Sequence, residues 1–137
     1  MEERAVISTQ VHAVIHFLQK MDIDMVEAIL DSRYTYQDFP KDVFIRKLGI
    51  ALDDFTQAGD TLLTVRKGRC GAEECNYKCS GYSFIGNLSK YYIDMIIDEK
   101  DGEVRDMYEC SDFINSWMDV EKRQRIRIDR FVPSQWG

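Results

Sequence analysis

Tyr91-Tyr92-Ile93-Asp94-Met95-Ile96-Ile97-Asp98-Glu99-Lys100-Asp101-Gly102-Glu103-Val104-Arg105-Asp106-Met107-Tyr108-Glu109-Cys110 is the stretch on which the fold turns. Tyr91, Ile93, Met95 and Ile97 alternate with Tyr92, Asp94, Ile96 and Asp98, the period-two pattern of a half-buried strand. Asp101-Gly102 supplies the two residues of a tight hairpin turn, because Asp and Gly tolerate the positive φ that such a turn requires. Val104 to Cys110 is then the returning strand. A turn at 101–102 predicts Met95 opposite Tyr108, Ile93 opposite Cys110, Asp98 opposite Arg105 and Ile97 opposite Asp106. The last pairing puts a carboxylate on the apolar face, where it needs a partner or a purpose.

Working outward, Thr61 to Lys67 and Ser80 to Gly86 read as two further strands. The stretch Glu121 to Val132, rich in Lys and Arg around Ile126 and Ile128, reads as a last strand at a sheet edge, where charge deters unwanted pairing. Ahead of Gly59 the period is helical. Ile7, Val11, Val14, Ile15 and Leu18 form one face of a helix ending near Lys20, with His12 and His16 on its flank. A shorter helix follows, capped by Asp22 or Asp24 with Glu27 three positions after the latter, its apolar side Met25, Val26, Ile29 and Leu30. Tyr34-Thr35-Tyr36 is a short β-prone segment. Asp38-Phe39-Pro40 opens a third helix with proline at its first position, its face Val43, Phe44, Leu48, Ala51, Leu52 and Phe55, and Gly59 its left-handed cap. The expected fold is α+β, a single domain over 1–137 with three N-terminal helices packed on an antiparallel sheet of four to six strands.

The chain has 137 residues and a net charge of -6. That length buries a sizeable core without obligatory disulfides, and that charge opposes general affinity for phosphate backbones. The basic run Lys122-Arg123-Gln124-Arg125-Ile126-Arg127 is flanked by Asp119, Glu121 and Asp129 and carries no interleaved aromatic platform, so it reads as a solvated edge strand and no nucleic-acid partner is expected. Met1-Glu2-Glu3-Arg4 is not the basic start of a targeting peptide, and no stretch approaches the ~20 apolar residues of a membrane span. The expectation is a cytoplasmic protein with no membrane partner.

Cys70, Cys75 and Cys79 close on a Gly-containing break between two strands, with Cys110 at the end of a later one. Four such thiols suit a structural zinc site, a disulfide among the loop cysteines, or free buried thiols. Their x4 and x3 spacings differ from paired CxxC knuckles, and all three readings stay open. His12 and His16 lie one turn apart as in zinc peptidases, but Ala13 stands where that motif needs its glutamate, which removes the base.

Two helices, a short β segment, a third helix after Asp38-Phe39-Pro40-Lys41-Asp42 and then a run of strands is an order that resembles the NTF2-like (SnoaL-like, cystatin-like α+β) superfamily. The stretch Cys75-Asn76-Tyr77-Lys78-Cys79-Ser80-Gly81-Tyr82-Ser83-Phe84-Ile85-Gly86-Asn87, followed by Tyr91 to Ile97, is similar to a bacterial branch of it. The resemblance implies a strongly curved sheet forming a cone around the helices, a homodimer through the outer sheet face, and a cavity that binds a small molecule or hosts acid–base chemistry. On that reading Tyr34, Tyr36, Ile93, Met95, Ile97, Asp106 and Tyr108 line the ligand site. Asp106, its pKa raised by apolar neighbours, is the candidate general base, and Tyr108 the group that polarises a carbonyl. Two classes of function follow: a binding module for a small-molecule ligand or protein partner with a structural Cys-rich loop, or a cofactor-independent isomerase, hydratase or hydrolase working in the cone.

Overall fold

A computed structural model of the protein describes residues 9–70, 81–109, 113–114 and 123–128. Cys75, Cys79 and Cys110, and with them the zinc, disulfide and free-thiol readings, lie outside those residues. The described chain is α+β, with helices α1 (Thr9–Gln19), α2 (Ile23–Ile29) and α3 (Lys41–Gln57), a small hairpin of β1 (Thr35–Tyr36) and β2 (Phe39–Pro40), and strands β3 (Leu63–Cys70), β4 (Gly81–Gly86), β5 (Tyr91–Lys100), β6 (Glu103–Tyr108), β7 (Phe113–Ile114) and β8 (Gln124–Arg125).

Local chemistry sets the ends of the helices. After α1, the Asp22 N–H bonds the Phe17 carbonyl and the Met21 N–H bonds that of Leu18, a Schellman turn that holds Met21 at φ +57. The same Asp22 then caps α2, its side chain accepting from Met25 N, so the cap is Asp22 and not Asp24. Pro40 was expected at the first helical position; it belongs to β2 and precedes the helix as the N-cap of α3. The reason is the turn between β1 and β2, where Gln37 (φ +52) and Asp38 (φ +65) form a two-residue bend that pairs Tyr36 with Phe39. α3 ends as expected at Gly59 (φ +100), where Asp60 N bonds Phe55 O and Gly59 N bonds Thr56 O.

The six-stranded sheet runs β6-β5-β4-β3-β7, with β8 beside β5. Its ladders are antiparallel except for β8, which runs parallel to β5 through Tyr91 with Gln124 and Tyr92 with Arg125. The final strand therefore takes over along β5 where β6 no longer reaches, and Ile126 and Ile128 turn into the core.

One core lies between the helices and a single sheet face. Val14, Leu18, Val26, Tyr36, Phe44, Leu48 and Phe55 meet Leu63, Phe84, Ile93, Met95, Ile97, Val104 and Met107, all essentially without solvent contact. Burying one such side chain contributes ~1.5–3 kcal/mol, which makes this face the main source of stability.

The β5–β6 hairpin has the expected turn, with Asp101 at φ +55, Gly102 at φ +81 and Lys100 opposite Glu103. Its register departs from expectation one step further on. Glu99 lies opposite Val104, but Asp98 lies opposite Asp106, and the extra residue is Arg105. This β-bulge shifts everything beyond it by one, so Ile97 faces Met107 and Ile96 faces Tyr108. The apolar pair Ile97 and Met107 replaces the predicted Ile97 and Asp106, which resolves the buried carboxylate that an unbulged hairpin would have created.

Candidate functional site

The bulge divides the expected ligand lining between two faces. Ile93, Met95 and Ile97 point to the helices, and Tyr36 joins them from β1, its ring 5.6 Å from that of Phe44. The Tyr36 hydroxyl donates to Asp31 O at 3.1 Å and accepts from Asp31 N at 3.0 Å, closing the loop after α2. Burial pushes its pKa up, which keeps it a neutral hydrogen-bonding group. These four side chains are buried in the core cluster.

Asp106 and Tyr108 lie on the other face, paired with Asp98 and Ile96. Asp106 is half-buried, and its carboxylate accepts the Gln37 N–H of the β1–β2 turn at 2.9 Å. Burial raises its pKa; the Gln37 and Met107 N–H groups pull it back, and Asp98 and Asp38 raise it again. Burial raises Asp98 as well. Beside this pair the Gln37 side chain exchanges two hydrogen bonds with Glu109, whose carboxylate also accepts from Ile128 N. These carboxylates tie the β1–β2 hairpin and the 124–128 segment to β6. Among the described residues, no group of three or more His, Cys, Asp or Glu side chains is placed to hold a metal ion.

Tyr34 is half-buried and packs against the rim of the core. Its hydroxyl donates to Glu103 at 2.8 Å, and its ring lies under Arg33 (5.1 Å) and Arg105 (4.8 Å). The Glu103 bond and burial raise the hydroxyl's pKa. The site residues drawn from the sequence thus fall into three places: the packed core, the Asp98–Asp106 row, and this stack at the core's rim.

Two clefts are lined by described residues. A cleft of about 350 Å³ opens between the end of α3, the start of β5 and β8, lined by Asp54, Gln57, Ala58, Tyr91, Gln124 and Ile126. One wall is the last turn of α3; the other is fixed by Gln124 N to Lys90 O (2.8 Å) and Ile126 N to Tyr92 O (2.7 Å). Tyr91 stands between them with its ring edge-on to Phe55 at 6.3 Å. A second cleft of about 310 Å³ lies by Glu27, Ser32, Pro40, Lys41 and Asp42.

The loop next to the first cleft is held by a buried carboxylate. Asp60, 4% exposed, accepts from Leu88 N and Ser89 N at 2.7 Å each and from the Ser89 hydroxyl at 2.5 Å. Asn87 bonds both Thr61 and Leu62, and Arg123 reaches Ser89 O at 3.1 Å. This framework carries Leu62 and Leu88 in solvent at 47% and 70% exposure. No sequence pattern marked the cleft, because its walls come from segments more than thirty positions apart and join only through the parallel β8 ladder. No family model, no curated protein and no solved structure matches the chain.

Proposed function

We propose that this protein is a non-catalytic binding module of NTF2-like type, and that it takes its ligand or partner at the surface cleft between α3, β5 and β8 rather than inside a cone. The supporting observation is how the expected lining is divided: Tyr36, Ile93, Met95 and Ile97 are buried against the helices, while Asp106 and Tyr108 belong to the opposite face. A general base needs a substrate within hydrogen-bond reach and a space that excludes water. Asp106 has a raised pKa but instead serves the Gln37 turn, so the isomerase, hydratase or hydrolase alternative draws on titration alone. The adjoining loop, tied by Asp60 and Asn87, adds two exposed apolar side chains, Leu62 and Leu88, beside the cleft.

The same reading makes the cysteine stretch a structural staple, and zinc analysis of the purified protein distinguishes a metal-held loop from a thiol one. A homodimer through the outer sheet face would have to use residues other than Ile85, Tyr92 and Ile96, which are already buried within the single chain. The test is a fragment screen by two-dimensional NMR. Shifts confined to Gln57, Ala58, Tyr91 and Gln124 support the reading. Shifts in the methyl groups of Met95, Ile97 and Met107, or turnover abolished by Asp106→Asn, would overturn it.

A further inference from the structure

We propose that the open edge of β3, over residues 64–68, takes up a short acidic peptide as an added antiparallel strand. This surface shares no residue with the α3–β5–β8 cleft and adds a second mode of binding. Along a strand, the backbone groups of successive residues point to alternate sides. The Leu62 carbonyl accepts from Asn87 N at 3.2 Å, on the β4 side, whereas the Leu63 carbonyl accepts from the Gln19 side chain at 3.4 Å, away from β4. The alternation turns the N–H and C=O groups of Val65 and Lys67 outward as well. At the far end of the strand, Arg69 and Cys70 pair with Ile114 and Phe113 of β7. Among the described residues, no hydrogen bond reaches the outward backbone groups of Val65 and Lys67. Gln19 and β7 thus bracket a gap about 16 Å long by the usual strand rise.

The side chains along this edge select the occupant. Val65 is half-buried and packs against the core, while Arg66 and Lys67 are exposed. Lys67, opposite Tyr82, is on the same sheet face as Val65, and Arg66, opposite Ser83, is on the other. A second copy of this chain fits badly. Pairing both outward residues of each copy sets Val65 against Lys67 of the other chain and places Arg66 directly opposite its own counterpart, a like-charge pair that destabilises a ladder. Lysine on an edge guards against such self-pairing. The same two cations, in a chain of net charge -6, attract a strand that carries carboxylates. Strand addition draws its affinity from main-chain bonds and its specificity from alternate side chains. An antiparallel occupant therefore carries, from its N-terminal end, an acidic residue opposite Lys67, a second acidic residue opposite Arg66 and an apolar residue opposite Val65, which extends the rim of the core.

The probe is acetyl-Thr-Glu-Glu-Val-Thr-amide, titrated into the full chain while the backbone amides are followed by NMR. The Val65 and Lys67 amides should shift saturably, with a dissociation constant on the order of 1 mM, and should gain protection from hydrogen exchange. N-methylation of the peptide's first Glu and its Val removes the two donors that meet β3 and should abolish binding. Added salt should weaken it, and Lys67→Glu should weaken it about fivefold. The Lys67→Glu chain should in turn prefer acetyl-Thr-Lys-Lys-Val-Thr-amide, and its own amide spectrum reports its fold. Equal binding of the acidic and basic peptides by the parent chain overturns the acidic class, and binding that survives N-methylation overturns the strand geometry. Protection of Val65 and Lys67 that rises with protein concentration alone, with a dimer in sedimentation, makes a second copy the occupant and refutes the proposal. Absence of any shift at ~10 mM peptide refutes it too.

Discussion

Gly86→Ala probes the packing of the loop beside the cleft most directly. Gly86 does not need a positive φ, so an alanine there costs nothing in backbone conformation. Its methyl group would lie 2.5 Å from the Ser89 hydroxyl and 2.7 Å from the Asp60 carboxyl carbon, and closer still to Asp60 Oδ2. No real Cβ tolerates that, so the carboxylate must leave the position from which it accepts from Leu88 N, Ser89 N and Ser89 Oγ. Bonds to a charged acceptor contribute ~1.5–3 kcal/mol each, and a buried carboxylate left short of donors costs more. These terms are not additive within one cluster, so the expected loss is about 3 kcal/mol, or about 10 °C in Tm. Urea denaturation with an unchanged m value would measure it. Asp60→Ala alone forfeits the same bonds and should cost about as much. The double variant should cost little beyond Asp60→Ala, since the clash has gone, giving a coupling of about 2–3 kcal/mol. Additive losses, or a Gly86→Ala chain within about 0.5 kcal/mol of the parent, would refute the account.

Three further outcomes are expected. Asp98 and Asp106 hold their protons more tightly folded than unfolded, so their contribution to stability is most favourable in acid, below the ordinary value of 3.8, and declines as pH rises through the raised folded values. Asp98→Asn should therefore stabilise the protein by about 0.5–1 kcal/mol near neutral pH and negligibly in acid, as chemical denaturation at two pH values would show. Asp38→Gly places glycine at φ +65 in the β1–β2 turn and removes a carboxylate acting on Asp106; a gain of about 0.5 kcal/mol is expected by the same assay. Ser83 donates to Asp94 at 2.6 Å with both residues buried, so Ser83→Ala should cost about 1.5–3 kcal/mol, read as a lower midpoint in urea.

Where a single local cause sets the structure, the sequence reveals it. The strand from Tyr91, the Asp101-Gly102 turn and the Gly59 cap each depend on a few neighbouring residues, and all three are present, although the strand is buried on both faces from Tyr92 to Ile97 and not half-buried as its alternation predicts. The bulge at Arg105 was illegible because no turn residue marks it; it arises from core packing, which prefers Met107 to Asp106 opposite Ile97. The Gln37-Asp38 bend escaped notice for a related reason. Neither residue is glycine, and the turn is supported from outside by Asp106 and Glu109, about seventy positions away. The expected placement of Asp106 opposite Ile97 and Tyr108 opposite Met95 fell with the register, since a one-residue slip exchanges the faces of a strand. The cleft depends on the parallel pairing of 124–125 with 91–92, a long-range contact that no periodicity encodes.

That parallel pairing also bears on how the chain is completed during synthesis. Until residues 124–128 emerge, the carbonyls of Lys90 and Tyr92 lack the amides of Gln124 and Ile126 that cover them, and two isoleucines are missing from the interior. A nascent or truncated chain stopping short of Gln124 would present β5 as an open, sticky border, prone to recruit a neighbouring polypeptide in place of its own tail.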